Sequence, residues 1–247
     1  MRWPSDCCDN KIFNSFCGWR KGRKGKTRRR IYKLIKAFEN DGMTDSRTDN
    51  LIVVAIVVAW AALVMILSAR GVFEIDPSKP PFPLLISFIT PPILFLVSYA
   101  LSTKVRAISL SIDLLLLTAM QAWRVIGGVF LILMSLNLLP GTFAWPAGVG
   151  DLVVGGYAPF VVLSIARRTP SWRTHVVLLN VLGLLDLVTA IASGVLSGSS
   201  PIGVLHGPVA TDIMQQLPLS IIPTFAVPAW VIMHVISLMK LQRGQTD

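Results

Sequence analysis

Residues 107–139 read AISLSIDLLLLTAMQAWRVIGGVFLILMSLNLL, an apolar stretch whose only charges are Asp113 and Arg124. A straight membrane-crossing helix needs about 20 residues. The stretch is too long for one and holds either two spans or an interfacial helix leading into one. Charge parity decides between them. With one crossing here, the basic residues before Leu51, then Lys104 and Arg106, then Arg167, Arg168 and Arg173, then Lys240 and Arg243 all fall on one side. With two, the later clusters move to the other side. The excess of Lys and Arg in cytoplasmic loops selects the first arrangement. Ala107–Leu117 is then partly interfacial, with Asp113 near the headgroups.

The expected spans on this reading are Leu51–Ala69, Leu84–Leu101, one within Ala107–Leu139, Ala147–Ala166, His175–Ser197 and Leu219–Met239. The fold class is an all-α polytopic bundle of six membrane helices, both termini cytoplasmic, in the cell membrane. Three regions follow: a basic N-terminal segment 1–50, the bundle 51–239 and a cytoplasmic tail 240–247. Composition agrees, with 53% hydrophobic and 15% charged residues and a mean hydropathy of +0.64, against about 25% charged in soluble domains.

The net charge of +10 is local. Lys and Arg crowd between Arg20 and Lys36 with no acid among them, which reads as membrane orientation and attraction to anionic lipid rather than nucleic-acid binding. Within that tail Ile31, Leu34, Ile35 and Phe38 recur at helical spacing, so Arg28–Phe38 is expected to lie as an amphipathic helix on anionic headgroups. Cys7, Cys8 and Cys17 match no zinc spacing. The polar run from Met43 into Leu51 reads as an ordinary start for a membrane protein, so Met43 competes with Met1 as the first residue, residues 1–42 then being an extension.

Ionisable groups at membrane depth are costly and mark function or a structural pair. The expected polar cluster comprises Gln121, Arg124, Asp151, Asn180, Asp186 and His234. Arg124 and Asp186 fall at similar depth and form the natural ion pair. Gln121 shares a helical face with Arg124, and Asn180 shares one with Gly183 and Asp186. Residues 140–151 read as a stiff stretch of small residues entering a helix, with Asp151 near that helix's N-terminus and the outer face, where the dipole favours it. His234 is expected toward the inner end of the last span. His175, His206 and His234 are too scattered for one metal or haem site, no metal or other cofactor is expected, and no catalytic or phosphate-loop motif occurs. Pro91 and Pro92 predict a kink in the second span. Pro218, Pro223 and Pro228 predict a bent or locally unwound sixth, freeing backbone carbonyls as the broken helices of transporters do. Ala190, Gly194 and Gly198 make a small-residue packing stripe.

The pattern Gln121-x-x-Arg124-x-x-Gly127, with Leu139-Pro140, Phe143-Ala144, Pro146-Ala147-Gly148 and Gly150-Asp151, resembles uncharacterised prokaryotic multi-pass membrane proteins. Asn180, Gly183, Asp186 and residues 217–224 fit the same resemblance, which covers about half the chain. It implies a prokaryotic origin and no mechanism. The function classes left open are three. One is a small permease-like transporter in which Arg124 and Asp186 line a polar cavity and the broken sixth helix moves. Another is a non-catalytic subunit or homo-oligomer in which the same residues are packing glue. The last is a membrane enzyme acting on lipid headgroups, which would need acids and a histidine gathered at one interface.

Overall fold

The computed structural model describes residues 48–49, 51–205 and 207–244. The helix expected at Arg28–Phe38, the three cysteines, the question of Met43 and His206 lie outside the described residues. Contacts divide the chain into Met1–Val53 and Val54–Asp247. In the first unit, residues 48–49 are helical and 51–53 begin the first apolar helix. The second holds everything that follows.

Six helices are long and apolar enough to cross a membrane. They are Leu51–Ala69 (α1), Phe82–Leu101 (α2), a composite Leu114–Ser135, Gly141–Ala166 (α6), Trp172–Leu196 (α7) and a composite Ile222–Gln242. The decisive stretch therefore crosses once. It is preceded by a separate short helix, Thr103–Ser111 (α3). The composite third span is α4 (Leu114–Met120), a 3₁₀ segment Gln121–Gly128 and α5 (Val129–Ser135). The sixth starts as a π-helix, Ile222–Ala226, and continues as α8 (Val227–Gln242). No strand occurs among the described residues. The chain is an all-α, multi-pass membrane bundle.

Several boundaries differ from the sequence reading. The helix before the third span is Thr103–Ser111 rather than Ala107–Leu117, because the chain turns at Ile112 and Asp113. Asp113 caps α4 by accepting from Leu115 N at 2.9 Å, so Leu114–Leu117 belongs to the span. The fourth span starts at Gly141, right after Pro140, rather than at Ala147, so the small-residue stretch expected to lead into it is itself helix. Membrane helices tolerate glycine and proline where neighbouring helices pack closely. Here Phe143, Ala144 and Ala147 are buried against Phe130 and Leu139. α2 runs without interruption through Pro91 and Pro92.

Two apolar clusters sit at opposite ends of the bundle. One joins Leu114, Ile165, Trp172 and Val176 with Leu241: the start of α4, the end of α6, the start of α7 and the end of α8. The other joins Phe130, Leu139, Phe143 and Met214 with Leu219 and Ile222. Basic residues gather at the first end. Lys240 Nζ, on a residue 5% exposed, donates to Leu110 O and Ile112 O at 2.8 and 2.6 Å, satisfying carbonyls that the turn after α3 leaves free. Arg168 and Arg173 lie over the Trp172 ring at 5.6 and 5.3 Å. At the other end the loop after α1 docks through Ile75 N, which donates to Gln215 Oε1 at 2.9 Å. In that loop Asp76 accepts from Ser78 N and Oγ, which hold its carboxyl below the usual range. α1 and α2 keep Ile56, Val58, Leu63, Ile86, Leu94 and Leu101 exposed, a surface that only lipid tails would cover favourably.

Gly155 sets the closeness of α6 to the third span. A Cβ there would stand 2.6 Å from Val125 N and 3.2 Å from the Arg124 carbonyl carbon, whereas one at Gly156 would meet nothing within 4 Å. Gly155→Ala should therefore lower the melting temperature of the detergent-purified protein. Gly156→Ala should leave it unchanged or raise it, since alanine gains up to about 1 kcal/mol over glycine in a helix. Equal effects from the two changes would show that the helices do not approach this closely.

Candidate functional site

The 3₁₀ segment explains how one span presents a charge inward. Three residues per turn eclipse positions i, i+3 and i+6. Gln121, Arg124 and Gly127 accordingly stack on one side and are buried, while Trp123, Val125 and Ile126 face outward at 64, 46 and 59% exposure. Arg124 is wholly buried.

Its guanidinium gathers three other helices. Nε donates to Asp151 Oδ1 of α6 at 2.7 Å. Nη2 donates to Asp186 Oδ2 of α7. Nη1 donates to the Gly183 carbonyl of α7 at 3.2 Å and reaches His234 Nε2 of α8 at 3.4 Å. The Trp230 ring, one turn before His234, lies 5.6 Å from Arg124 Cζ, a cation–π distance. The imidazole tautomer follows. A guanidinium only donates, so His234 Nε2 must accept. Nδ1 then carries the hydrogen and donates to Asn180 Oδ1 at 2.8 Å. Asn180 Nδ2 in turn donates to Val176 O at 2.7 Å, which fixes the amide orientation.

Room for this cluster comes from three glycines, one on each of three helices. A Cβ on Gly127 would fall on the Asp151 carboxylate, and one on Gly150 would fall on Asp186 Oδ1. One on Gly183 would strike the His234 ring and stand 3.1 Å from Arg124 Nη1.

The structure thus brings together Arg124, Asp151, Asn180, Asp186 and His234 and places Gln121 beside them on the same stack. Two placements correct the sequence reading. Asp151 is not at a helix N-terminus near the outer face; it lies ten residues into α6, because that helix starts at Gly141. His234 is not toward the inner end; it lies in the middle of the composite sixth helix, level with Arg124. Gln121 is 1% exposed, and neither its Oε1 nor its Nε2 has a hydrogen-bond partner among the described residues. Trp230 went unnoticed in the sequence, although its spacing of four from His234 puts both on one face. The prolines separate: Pro218 follows a cis bond, Pro223 lies in the π-helix, and Pro228 sits in the first turn of α8. Among the described residues no three of His, Cys, Asp and Glu are placed to hold a metal ion.

A cavity of about 80 Å³ approaches the cluster from the end opposite the basic residues. Asp151 and Leu187 line its deep part, the π-helix contributes Ile222 and Pro223, and Thr211, Asp212, Gln215 and Ser200 form its polar rim. Ala190, Gly194 and Gly198 line it too, so the small-residue stripe borders this space. Gly198 itself lies just beyond α7. From Leu187 to Gly198 the wall runs roughly 16 Å at the helical rise. Asp212 is held in place, accepting from Ser199 N at 3.1 Å and from Ser199 Oγ.

Formally the cluster carries one guanidinium against two carboxylates, an excess of one negative charge. It can therefore take up one cation, the smallest being a proton, without losing either acceptor of Arg124. Removing one partner of a buried ion pair costs about 3–5 kcal/mol. Arg124→Ala should abolish most folded protein on size-exclusion of detergent extracts, and adding Asp151→Asn with Asp186→Asn should recover part of it. Wild-type yield of the single variant would show that the guanidinium does not hold the bundle together.

No curated protein matches the chain. No solved structure matches it either. Residues 81–242, from the start of α2 to the end of α8, match one family, described as Domain of unknown function (DUF8737). That span covers most of the chain and every member of the polar cluster, and the protein belongs to this family.

Proposed function

We propose that the chain is a small permease-like transporter of the cell membrane, with its basic end and both termini in the cytoplasm. The observation that carries the reading is the cavity joining the polar rim at Asp212 and Gln215 to Asp151, inside the charge cluster. Structural glue needs no such path. A volume near 80 Å³ holds a few waters, each taking about 30 Å³ in the liquid. The carried or coupled species at this site is thus a proton or a small cation. Asp151 and Asp186 exchange it, and Arg124 keeps both carboxylates in place in either state. The moving part is the start of the sixth span. Its π-helix carries Pro223, which has no N–H to give, and it lines the cavity. Such irregular turns are frequent at functional sites.

One observation favours a second reading, a non-catalytic membrane subunit. Arg124 is fully buried with Nε, Nη1 and Nη2 all bonded, as a packing device would be. An enzyme acting on headgroups finds less support, since Asp151 and His234 meet in the middle of their helices rather than at an interface.

Water access separates the readings. Single cysteines at Leu187 and Asp151, with Cys7, Cys8 and Cys17 changed to serine, should react in intact cells with a small charged methanethiosulfonate. A cysteine at Val161, wholly buried in the opposite apolar cluster, should not. Reaction at Leu187 and Asp151 would then predict a proton leak or exchange in liposomes that Asp151→Asn suppresses. Absence of labelling at both, in variants that express normally, would leave the subunit reading standing.

A further inference from the structure

The end of α2 holds a second polar arrangement, outside the cluster of Arg124. Arg106 Nη2 reaches back to donate to Tyr99 O and Ala100 O at 3.3 and 3.1 Å. This satisfies carbonyls in the last turn of α2 and puts a cation at its negative end. The same guanidinium lies over the Tyr99 ring, 5.5 Å from its centroid. From the end of α8, Arg243 comes to 5.9 Å of that ring. Two guanidiniums therefore converge on one aromatic side chain, and neither forms an ion pair with a described carboxylate. Two guanidiniums at one ring concentrate positive charge there, which attracts an anion.

Two donors at this place are unused. The phenol Oη of Tyr99, a residue 8% exposed, and Nε of Arg106 are both buried and have no hydrogen-bond partner among the described residues. Buried donors of this kind are rare and call for an explanation. What is missing is an acceptor with several oxygens and negative charge.

Position names its source. Tyr99 lies at the basic end of a span, where an aromatic ring with a polar tip marks headgroup level. The helix that carries it is otherwise lipid-facing, with Leu94, Val97 and Leu101 at 59, 48 and 83% exposure. A phosphate seated on Tyr99, Arg106 and Arg243 would have its acyl chains lying along α2. We infer that Tyr99, Arg106 and Arg243 form a binding site for the phosphate of an anionic phospholipid headgroup in the leaflet at the basic end. Basic pockets between helices on this side are suited to such headgroups. The site is separate from the transport reading and stands or falls without it.

The test uses the full chain in neutral detergent, with phosphatidylglycerol, phosphatidylcholine or inorganic phosphate as probe. The readouts are thermal stabilisation and lipid retained in native mass spectra. Phosphatidylglycerol should stabilise and be retained, and phosphatidylcholine should do so weakly. Arg243→Gln and Tyr99→Phe should each weaken phosphatidylglycerol binding by about tenfold, the lower end for one hydrogen bond to a charged group. Arg106→Gln should weaken it at least as much, but it also uncaps α2, so Arg243→Gln, at an exposed residue, is the decisive variant. Arg173→Gln, which removes a basic residue at Trp172 instead, should change nothing. Equal binding of the two lipids, unchanged binding in Arg243→Gln, or equal loss in Arg173→Gln would overturn the site. Stabilisation by inorganic phosphate matching that of phosphatidylglycerol would overturn the lipid as its occupant.

Discussion

A guanidinium in the middle of a membrane bundle must be surrounded by acceptors, and the positions of those acceptors organise this fold. Arg124 takes one carboxylate from α6, a carboxylate and a backbone carbonyl from α7, and an imidazole from the sixth span. Helices that hydrocarbon would not otherwise drive together are fixed in register by one side chain. The local backbone serves the same end. A 3₁₀ segment stacks Gln121, Arg124 and Gly127 inward, and glycines at 127, 150 and 183 leave the volume that the carboxylates and the ring occupy.

The two ends of the bundle differ in kind. At the basic end, Lys240, Arg106, Arg168 and Arg173 close on carbonyls and aromatic rings, and an apolar cluster packs around Trp172 and Val176. At the other end the helices part around a narrow space that reaches Asp151. The charge cluster thus stands between an apolar cluster on the basic side and the cavity that reaches Asp151 on the other. The proposed transport function rests on this asymmetry.

Most of the fold could be read in the sequence because long apolar runs and the placing of Lys and Arg carry the topology. The first span was legible as far as its end at Ala69, and the parity of basic loops resolved residues 107–139 into one crossing. What misled was the small-residue run after Pro140. Proline and glycine signal a loop in soluble proteins, but in a bundle they permit close packing, so Asp151 lies roughly two turns deeper in its helix than the sequence suggests. Arg124 and Asp186 stood out as charges too costly to be alone. The 3₁₀ winding left no mark in the pattern, because a spacing of three suits both helix types. Nor did the part played by Trp230, since aromatic residues in membrane helices face lipid as often as a cation.

The order in which the chain is made gives Arg124 a further meaning. The third span emerges from the ribosome while both aspartates are still unmade or inside the exit tunnel, so its arginine meets the insertion machinery without a counterion. An arginine at the centre of a helix costs about 2.5–3.5 kcal/mol at that step. The four leucines Leu114–Leu117 offset part of it. The rest is recovered only when the fourth and fifth spans arrive. Biogenesis of this protein is therefore cooperative across spans, and a nascent chain cut after Ser135 holds its third segment less firmly in the bilayer than one that extends past Leu196.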